Sequence, residues 1–298
     1  MHFDKLALIG CGLIGGSFAL GLKKQQCVAH VVGFSASESS KDKALALGVI
    51  DSKASSLALA VEGADLVLVA SPVNAIEGCL KEMLAHLAHN ALVMDVGSTK
   101  SEISTKAQEI LGERAHQFVP AHPIAGKEQH GVEHATADLF VKHKTILTPT
   151  SVNSQAWVEL AREVWVGLGS EVLCMGPQEH DQALAGISHL PHFIAFAAVN
   201  ALNAQDERET FWRLAGPGFR DFSRIAASSP AVWRDIFLSN PTEILLQLKA
   251  FQTALADLES ALKHPDSSRD LERMIEAASV SRQAWRHGAQ GEQDEQGK

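Results

Sequence analysis

The chain has 298 residues, 46% of them apolar and 20% charged, and carries a formal net charge of −9 at neutral pH. This is the balance of a soluble globular protein long enough for two domains, and its acidity excludes a protein whose main partner is a nucleic-acid backbone. Cys11, Cys27, Cys79 and Cys174 show neither CxxC spacing nor the density of a disulfide scaffold, so reduced thiols, a cytoplasmic location and no metal site are expected. The first strand starts near Lys5, which leaves no room for a leader, and the runs LVLVA and FIAFAAV are too short to span a bilayer, so no membrane role is expected.

The first element is an apolar strand, Lys5 to Ile9, that runs into the GxGxxG pattern of Gly10, Gly12 and Gly15 and then a helix through Phe18 to Lys24. Gly10 permits a sharp turn, Gly12 lets a pyrophosphate reach the main chain, and Gly15 lets the helix lie close to the strand. The helix start attracts phosphate. A dinucleotide is therefore expected at Gly10, Gly12, Leu13, Ile14 and Gly15. The second strand, Ala29 to Phe34, leads to Ser35 where an NAD site usually has a carboxylate, about 20 residues past the glycines. Ser35, Ser37 and Ser40, with Lys41 beside them, suit a 2′-phosphate, which points to NADP with NAD as the alternative.

Helices around Lys43 to Leu47 and Ser56 to Val61, a strand Leu66 to Ala70, a helix Ala75 to Leu87 and a strand Ala91 to Asp95 alternate as in a parallel sheet covered by helices. Ligands of such sheets lie beyond the carboxyl ends of the strands, which puts Ser71, Pro72 and the segment Gly97 to Lys100 at the cofactor. A helix Ile103 to Leu111 and a strand Phe118 to Ala121 lead into the polar loop HPIAGKEQHG at 122–131. Strands at Lys144 to Thr148 and Glu171 to Met175, flanking a helix Gln155 to Leu168, are expected to extend the sheet. From Gln178 onward the pattern is helical, over Phe193 to Leu202, Ala231 to Phe237, Pro241 to Leu262 and Ser268 to Trp285. The expected fold class is α/β: an N-terminal Rossmann-type, doubly wound, mostly parallel sheet followed by an all-α C-terminal domain. The expected domains are 1–175 for the dinucleotide, 176–286 for substrate and dimerisation, and a disordered polar tail at 287–298.

Six segments in order, GCGLIGGS (10–17), DVGSTK (95–100), HPIAGKEQHG (122–131), KTILTPT (144–150), SHLPH (188–192) and GPGFRDFSRIAASSPAVWRDIF (216–237), resemble the prephenate and arogenate dehydrogenase family of tyrosine biosynthesis. The resemblance implies oxidation of a ring alcohol by NAD(P), with the ring carboxylate leaving as carbon dioxide. It implies that His122 takes the hydroxyl proton, which suits an imidazole titrating near neutrality, and that Ser98 hydrogen-bonds the same hydroxyl. Arg224 matches the family's carboxylate-binding arginine, whose planar fork suits a bidentate grip. His192 matches a contact to the substrate side chain with Ser188 nearby, and Glu128 an acid at the pocket mouth. A homodimer acting on a small-molecule substrate is implied as well, with tyrosine a candidate feedback inhibitor.

Plainer roles compete. Ser98 suits an N-cap of the helix that follows, Glu128 a solvated loop carboxylate, and Arg224 a helix cap, with Arg213, Arg220 and Arg234 as secondary cations. His189 reads as structural and Trp233 as packing beneath the site. Ser188 and His192, four apart, share a helix face, and Pro191 between them either opens a helix or kinks a longer one. Two other functions fit the same domain plan less well. A β-hydroxyacid-type dehydrogenase calls for a lysine early in the second domain, and Gln178 to Asn203 contains none. A non-catalytic NAD(P)-binding sensor has no need of His122 and Arg224, and both are present.

Overall fold

The computed structural model describes residues 1–127, 129–264 and 268–294, with side chains as far as residue 285. Two compact units divide the chain, Met1–Ile244 and Leu245–Lys298.

In the first unit, β1 (Phe3–Ile9), β2 (Val28–Phe34), β3 (Ser52–Lys53), β4 (Leu66–Val69) and β5 (Leu92–Asp95) pair in parallel in the order β3-β2-β1-β4-β5. The helices of this half are α1 (Leu13–Lys24), α2 (Glu38–Ala46), α3 (Leu57–Val61), α4 (Val73–Met83), α5 (Ser101–Leu111) and α6 (Gln155–Gly167). Successive strand residues point to opposite faces, so an apolar run must be covered twice. Leu6 and Leu8 share one core with Phe18 and Leu22 of α1 and Trp165 of α6. Ala7 and Ile9 share the other with Leu57 of α3, Ile76 and Leu80 of α4 and Ile103 of α5. Strand order reverses between β1 and β4, which opens a crevice at the carboxyl edge.

The expectation that the later strands extend this sheet needs correction. β6 (Ala121–Pro123), β7 (Lys144–Leu147) and β8 (Glu171–Cys174) form a separate three-stranded sheet in which β6 runs antiparallel to β7 and β7 parallel to β8. Val93 bridges Phe118, and the Val119 N–H donates to the Val93 carbonyl at 2.9 Å. The next residue, Pro120, has no N–H to continue that ladder. The chain passes instead to β7, and the Ala121 N–H finds the Asp95 carboxylate at 3.3 Å.

Beyond β8, α7 (Pro177–Leu184), a π-helical turn (Ala185–His189) and α8 (Leu190–Asn203) make one continuous helix. Pro191 thus lies within a longer helix and does not open one. Its ring crowds the preceding turn and it cannot donate, and the wider turn just before it accommodates both defects. By length and composition this helix passes for a membrane span. Here its His180, Asp181 and His189 are buried, and Asp181 is hydrogen-bonded to the start of α5.

Next come α9 (Arg208–Leu214), α10 (Pro217–Ser223), a 3-10 turn Arg224–Ala227, α11 (Pro230–Ser239), α12 (Pro241–Lys263) and α13 (Ser268–Asp294). Neither α9 nor α10 buries a residue, and α11 buries Ile236. The second unit holds α12 from Leu245 together with α13, and Leu245, Leu255, Leu262, Ile275 and Trp285 are exposed in it. The expected tail at 287–298 is helical in its backbone as far as Asp294; 295–298 lie outside the described residues.

Candidate active site

The glycine turn divides its labour among its members. Gly10 has φ of +104°, and a Cβ there would stand 2.4 Å from the Ala70 carbonyl oxygen. A Cβ on Gly15 would stand 2.3 Å from the Gly10 oxygen. Both glycines serve the close packing of β1, α1 and β4. Gly12 differs: a Cβ there would meet nothing within 4 Å, and no side chain caps α1 at this residue. The open face and the uncapped helix start, flanked by half-buried Leu13 and Ile14, fit a pyrophosphate. Ser71 and Pro72 follow β4 at the same edge, Ser71 half-buried and Pro72 opening α4.

At the end of β2, Ser35 and Ser40 are half-buried, while Ser37 Oγ accepts from the Ser40 N–H at 3.3 Å and so caps α2. Lys41 is buried and pairs with Glu38 at 2.7 Å, and Lys53 reaches Glu38 at 2.8 Å and Asp42 at 2.5 Å. Hydrogen bonds from Lys41 and Lys53 hold the Glu38 carboxyl down to about 2.

Around His122 the structure draws together residues from three parts of the chain. The ring is half-buried on β6, and its Nδ1 lies 2.8 Å from Nε2 of fully buried His180 on α7. His180 Nδ1 lies 2.8 Å from Asp181 Oδ1. Asp181 Oδ1 also accepts the Lys100 N–H, and Oδ2 the Ser101 N–H, each at 2.8 Å. The capping position that competes for Ser98 is thus filled from α7, and Ser98 stays half-buried in the loop between β5 and α5. Lys100 Nζ, fully buried, pairs with Asp95 and donates to the Ala121 carbonyl at 2.9 Å, tying that loop to the residue before His122. Burial, helped by His180, Lys100 and His189, pushes the His122 pKa well below its usual value, so the ring is neutral at pH 7.

A cavity of about 650 Å³ lies on the helical side, where His192, Arg224, Trp233, Lys127 and Arg220 all line it. His192 donates from Nδ1 to the Ser188 carbonyl at 2.9 Å, and its ring stacks on Trp233 with centroids 3.5 Å apart. Burial lowers the His192 pKa, the Ser188 carbonyl opposes this, and nearby Arg224 adds to it. His192 and Arg224 are therefore brought together, Ser188 serves through its main chain, and Trp233 supports the imidazole. His122 and Ser98 do not line this cavity. His189 is buried, with Nδ1 3.4 Å from Asn240 Nδ2, and Asn240 donates to the Asp181 carbonyl at 2.8 Å. Arg234 pairs with Asp235 at 2.7 Å. Glu128 lies outside the described residues. Among the described residues no group of three or more His, Cys, Asp or Glu side chains is arranged to hold a metal.

His180 and Asp181 escaped the sequence reading. Their signal was present: His180, Asp181 and Leu184 fall on one face of a helix, and polar side chains on a buried face require partners.

Residues 18–174 match the family model of the prephenate dehydrogenase nucleotide-binding domain, and residues 176–277 match that of the prephenate dehydrogenase dimerization domain. The chain is 40% identical to prephenate dehydrogenase of Bacillus subtilis over 245 residues, 81% of this chain and 66% of that protein. It is 34% identical to cyclohexadienyl dehydrogenase of Zymomonas mobilis over 277 residues, 92% of this chain and 94% of the other. A solved structure of prephenate dehydrogenase from Aquifex aeolicus, in complex with hydroxyphenyl propionate and NAD+, superposes with a TM-score of 0.90 at 33% identity, covering 95% of this chain and 99% of that one.

Proposed function

The chain belongs to the prephenate dehydrogenase family, and from that premise we propose that it oxidatively decarboxylates prephenate to 4-hydroxyphenylpyruvate, arogenate to tyrosine, or both. The observation that carries this reading is His122, a neutral imidazole one buried lysine away from the Ser98 loop at the carboxyl edge of the sheet. The nicotinamide cofactor supplies a hydride acceptor. His122 removes the proton of the ring hydroxyl as the carbinol hydrogen leaves as hydride. The C–C bond to the ring carboxylate breaks, carbon dioxide departs, the electrons of that bond complete the aromatic ring, and the proton held by His122 returns to the phenolate oxygen. A base in this role is worth about 10² to 10⁴ in rate.

Ser98 orients the hydroxyl, Arg224 grips a carboxylate, and His192, steadied by Trp233 and the Ser188 carbonyl, meets the side chain of the substrate. The domain division is proposed near residue 175, a reading supported by family models that cover 18–174 and 176–277, whereas the chain's own contacts divide within α12. A cytoplasmic homodimer is the proposed working state, supported by the dimerization-domain match, the exposed apolar side chains of α12 and α13, and four unpaired cysteines.

For the nucleotide, the serines after β2 argue for NADP, and their contacts argue the other way. Ser37 is spent on capping α2, and Lys41 and Lys53 are committed to Glu38, whose charge opposes a 2′-phosphate. We therefore favour NAD over NADP. The test is an assay of prephenate and arogenate, each with NAD and NADP, read as reduced nicotinamide. Turnover with NAD and one or both substrates is expected, and E38Q should improve KM for NADP about tenfold, the scale of about 1.4 kcal/mol. No turnover in any combination overturns the catalytic reading; an unaided preference for NADP overturns the role given to Glu38.

A further inference from the structure

His180 and Asp181 touch neither the 650 Å³ cavity nor the nucleotide loop, yet they are wholly buried and joined to His122. Their hydrogen bonds fix where protons sit. An ionised carboxylate only accepts, so the 2.8 Å contact at Asp181 Oδ1 places a proton on His180 Nδ1. Burial works to raise the Asp181 pKa and is outweighed by hydrogen bonds from His180, Ser101 and Lys100, which keep the group ionised. With that one ring proton on Nδ1, His180 offers a lone pair at Nε2, which takes the Nδ1–H of His122 at 2.8 Å. His122 is left with its lone pair on Nε2, the only ring nitrogen still able to receive a proton.

The same carboxylate accepts the main-chain N–H groups of Lys100 and Ser101, immediately after the Ser98 loop. We propose that His180 and Asp181 are positioning residues: through His180, Asp181 selects the base-competent tautomer of His122, and through the start of α5 it fixes the Ser98 loop to the same point. This rests on the reading of His122 as base. The arrangement matches the general logic of a base whose second nitrogen is held by a buried acceptor.

The test compares H180F, H180Q and D181N with H122N in steady-state kinetics against pH, using the substrate and nucleotide pair turned over by the native protein, alongside thermal melting and nucleotide affinity by fluorescence. H180F removes the acceptor and should lower kcat by about 30- to 100-fold with substrate KM within about threefold, a loss in the range of general-base effects. H180Q keeps an amide oxygen that can accept the Nδ1–H and should recover about tenfold of that loss. In D181N the amide can donate to His180 and reverse the tautomer. Its kcat should fall at least as far as in H180F, and removal of the negative charge should move the acid limb of kcat/KM to lower pH.

Wild-type kcat and acid limb in both H180F and D181N would overturn the proposal, as would equal activity of H180F and H180Q. Because Asp181 also caps α5, D181N can fail to fold; the H180F and H180Q pair, which leaves that cap untouched, then decides. H122N separates the two levels: an active H122N removes the base itself, whereas an inactive H122N beside fully active H180F and D181N removes only the positioning role.

Discussion

The five-stranded sheet is buried on both faces, and Trp165 packs between Phe18 and Phe140 at ring separations of 5.1 and 5.2 Å, whereas α9 and α10 bury nothing and α11 buries Ile236. One half completes its packing within the chain. The other displays Leu214, Leu238 and Trp212 to solvent, which fits the match to a dimerization domain. Between them, the helix 177–203 buries His180, Asp181 and His189 alongside Leu184, Ala185, Leu190 and Ala195, and His180 and Asp181 reach His122 and α5. Buried apolar side chains are concentrated around the sheets, and the proposed proton chemistry sits where α7 meets β6.

The contrast can be broken most directly by substitution in each half. Trp165→Ala removes the largest fully buried side chain and should cost about 3–5 kcal/mol in urea unfolding, while Leu214→Ala, exposed on α9, should stay within about 0.5 kcal/mol. Equal costs would mean that a second copy covers α9 in solution. His122→Asn, at the junction, should lower kcat at least about a hundredfold with an unchanged melting temperature. A fall in both would make His122 a packing residue.

The smallest effect concerns acid. Burial lowers the His189 pKa to about 4, so the unfolded chain takes up a proton near pH 6.5 that the folded chain accepts only near 4. This contribution is fully present above the unfolded value and is lost as pH falls through that window. His122 adds to it in the same direction. The His189 contribution alone should drop by about 2 kcal/mol between pH 7 and pH 5, and His189→Gln should remove that part of the slope. A flat profile in the native protein would show that these rings are not neutral and buried in solution.

Local chemistry made the parallel sheet and the nucleotide turn readable. Glycine spacing, alternating apolar runs and strand-end loops each act within a few residues, and Gly10, Gly15, Ser71 and Ser98 fall where such rules put them. What could not be read depends on distance or competition. His122 and His180 are 58 residues apart, and no periodicity announces their meeting. Pro120 ends one ladder and so starts another sheet, a choice that depends on β7 being at hand. Ser37 and Lys41 had plausible ligand roles, and internal partners claimed both. The six segments of family resemblance supplied Arg224 and His192, which charge and spacing alone left among many candidates.

Gly12 gives the chain an unusual separability. Its φ of −105° is ordinary for any residue and the space beside it is empty, so nothing in the folding of this polypeptide asks for a glycine there. Folding and occupancy are therefore written in different letters of one short motif: Gly10 and Gly15 answer to the architecture, and Gly12 is left to the proposed guest. A methyl group at that single point would leave a protein that is whole but bars its own nucleotide, an intact empty scaffold against which every contribution of the bound state can be weighed.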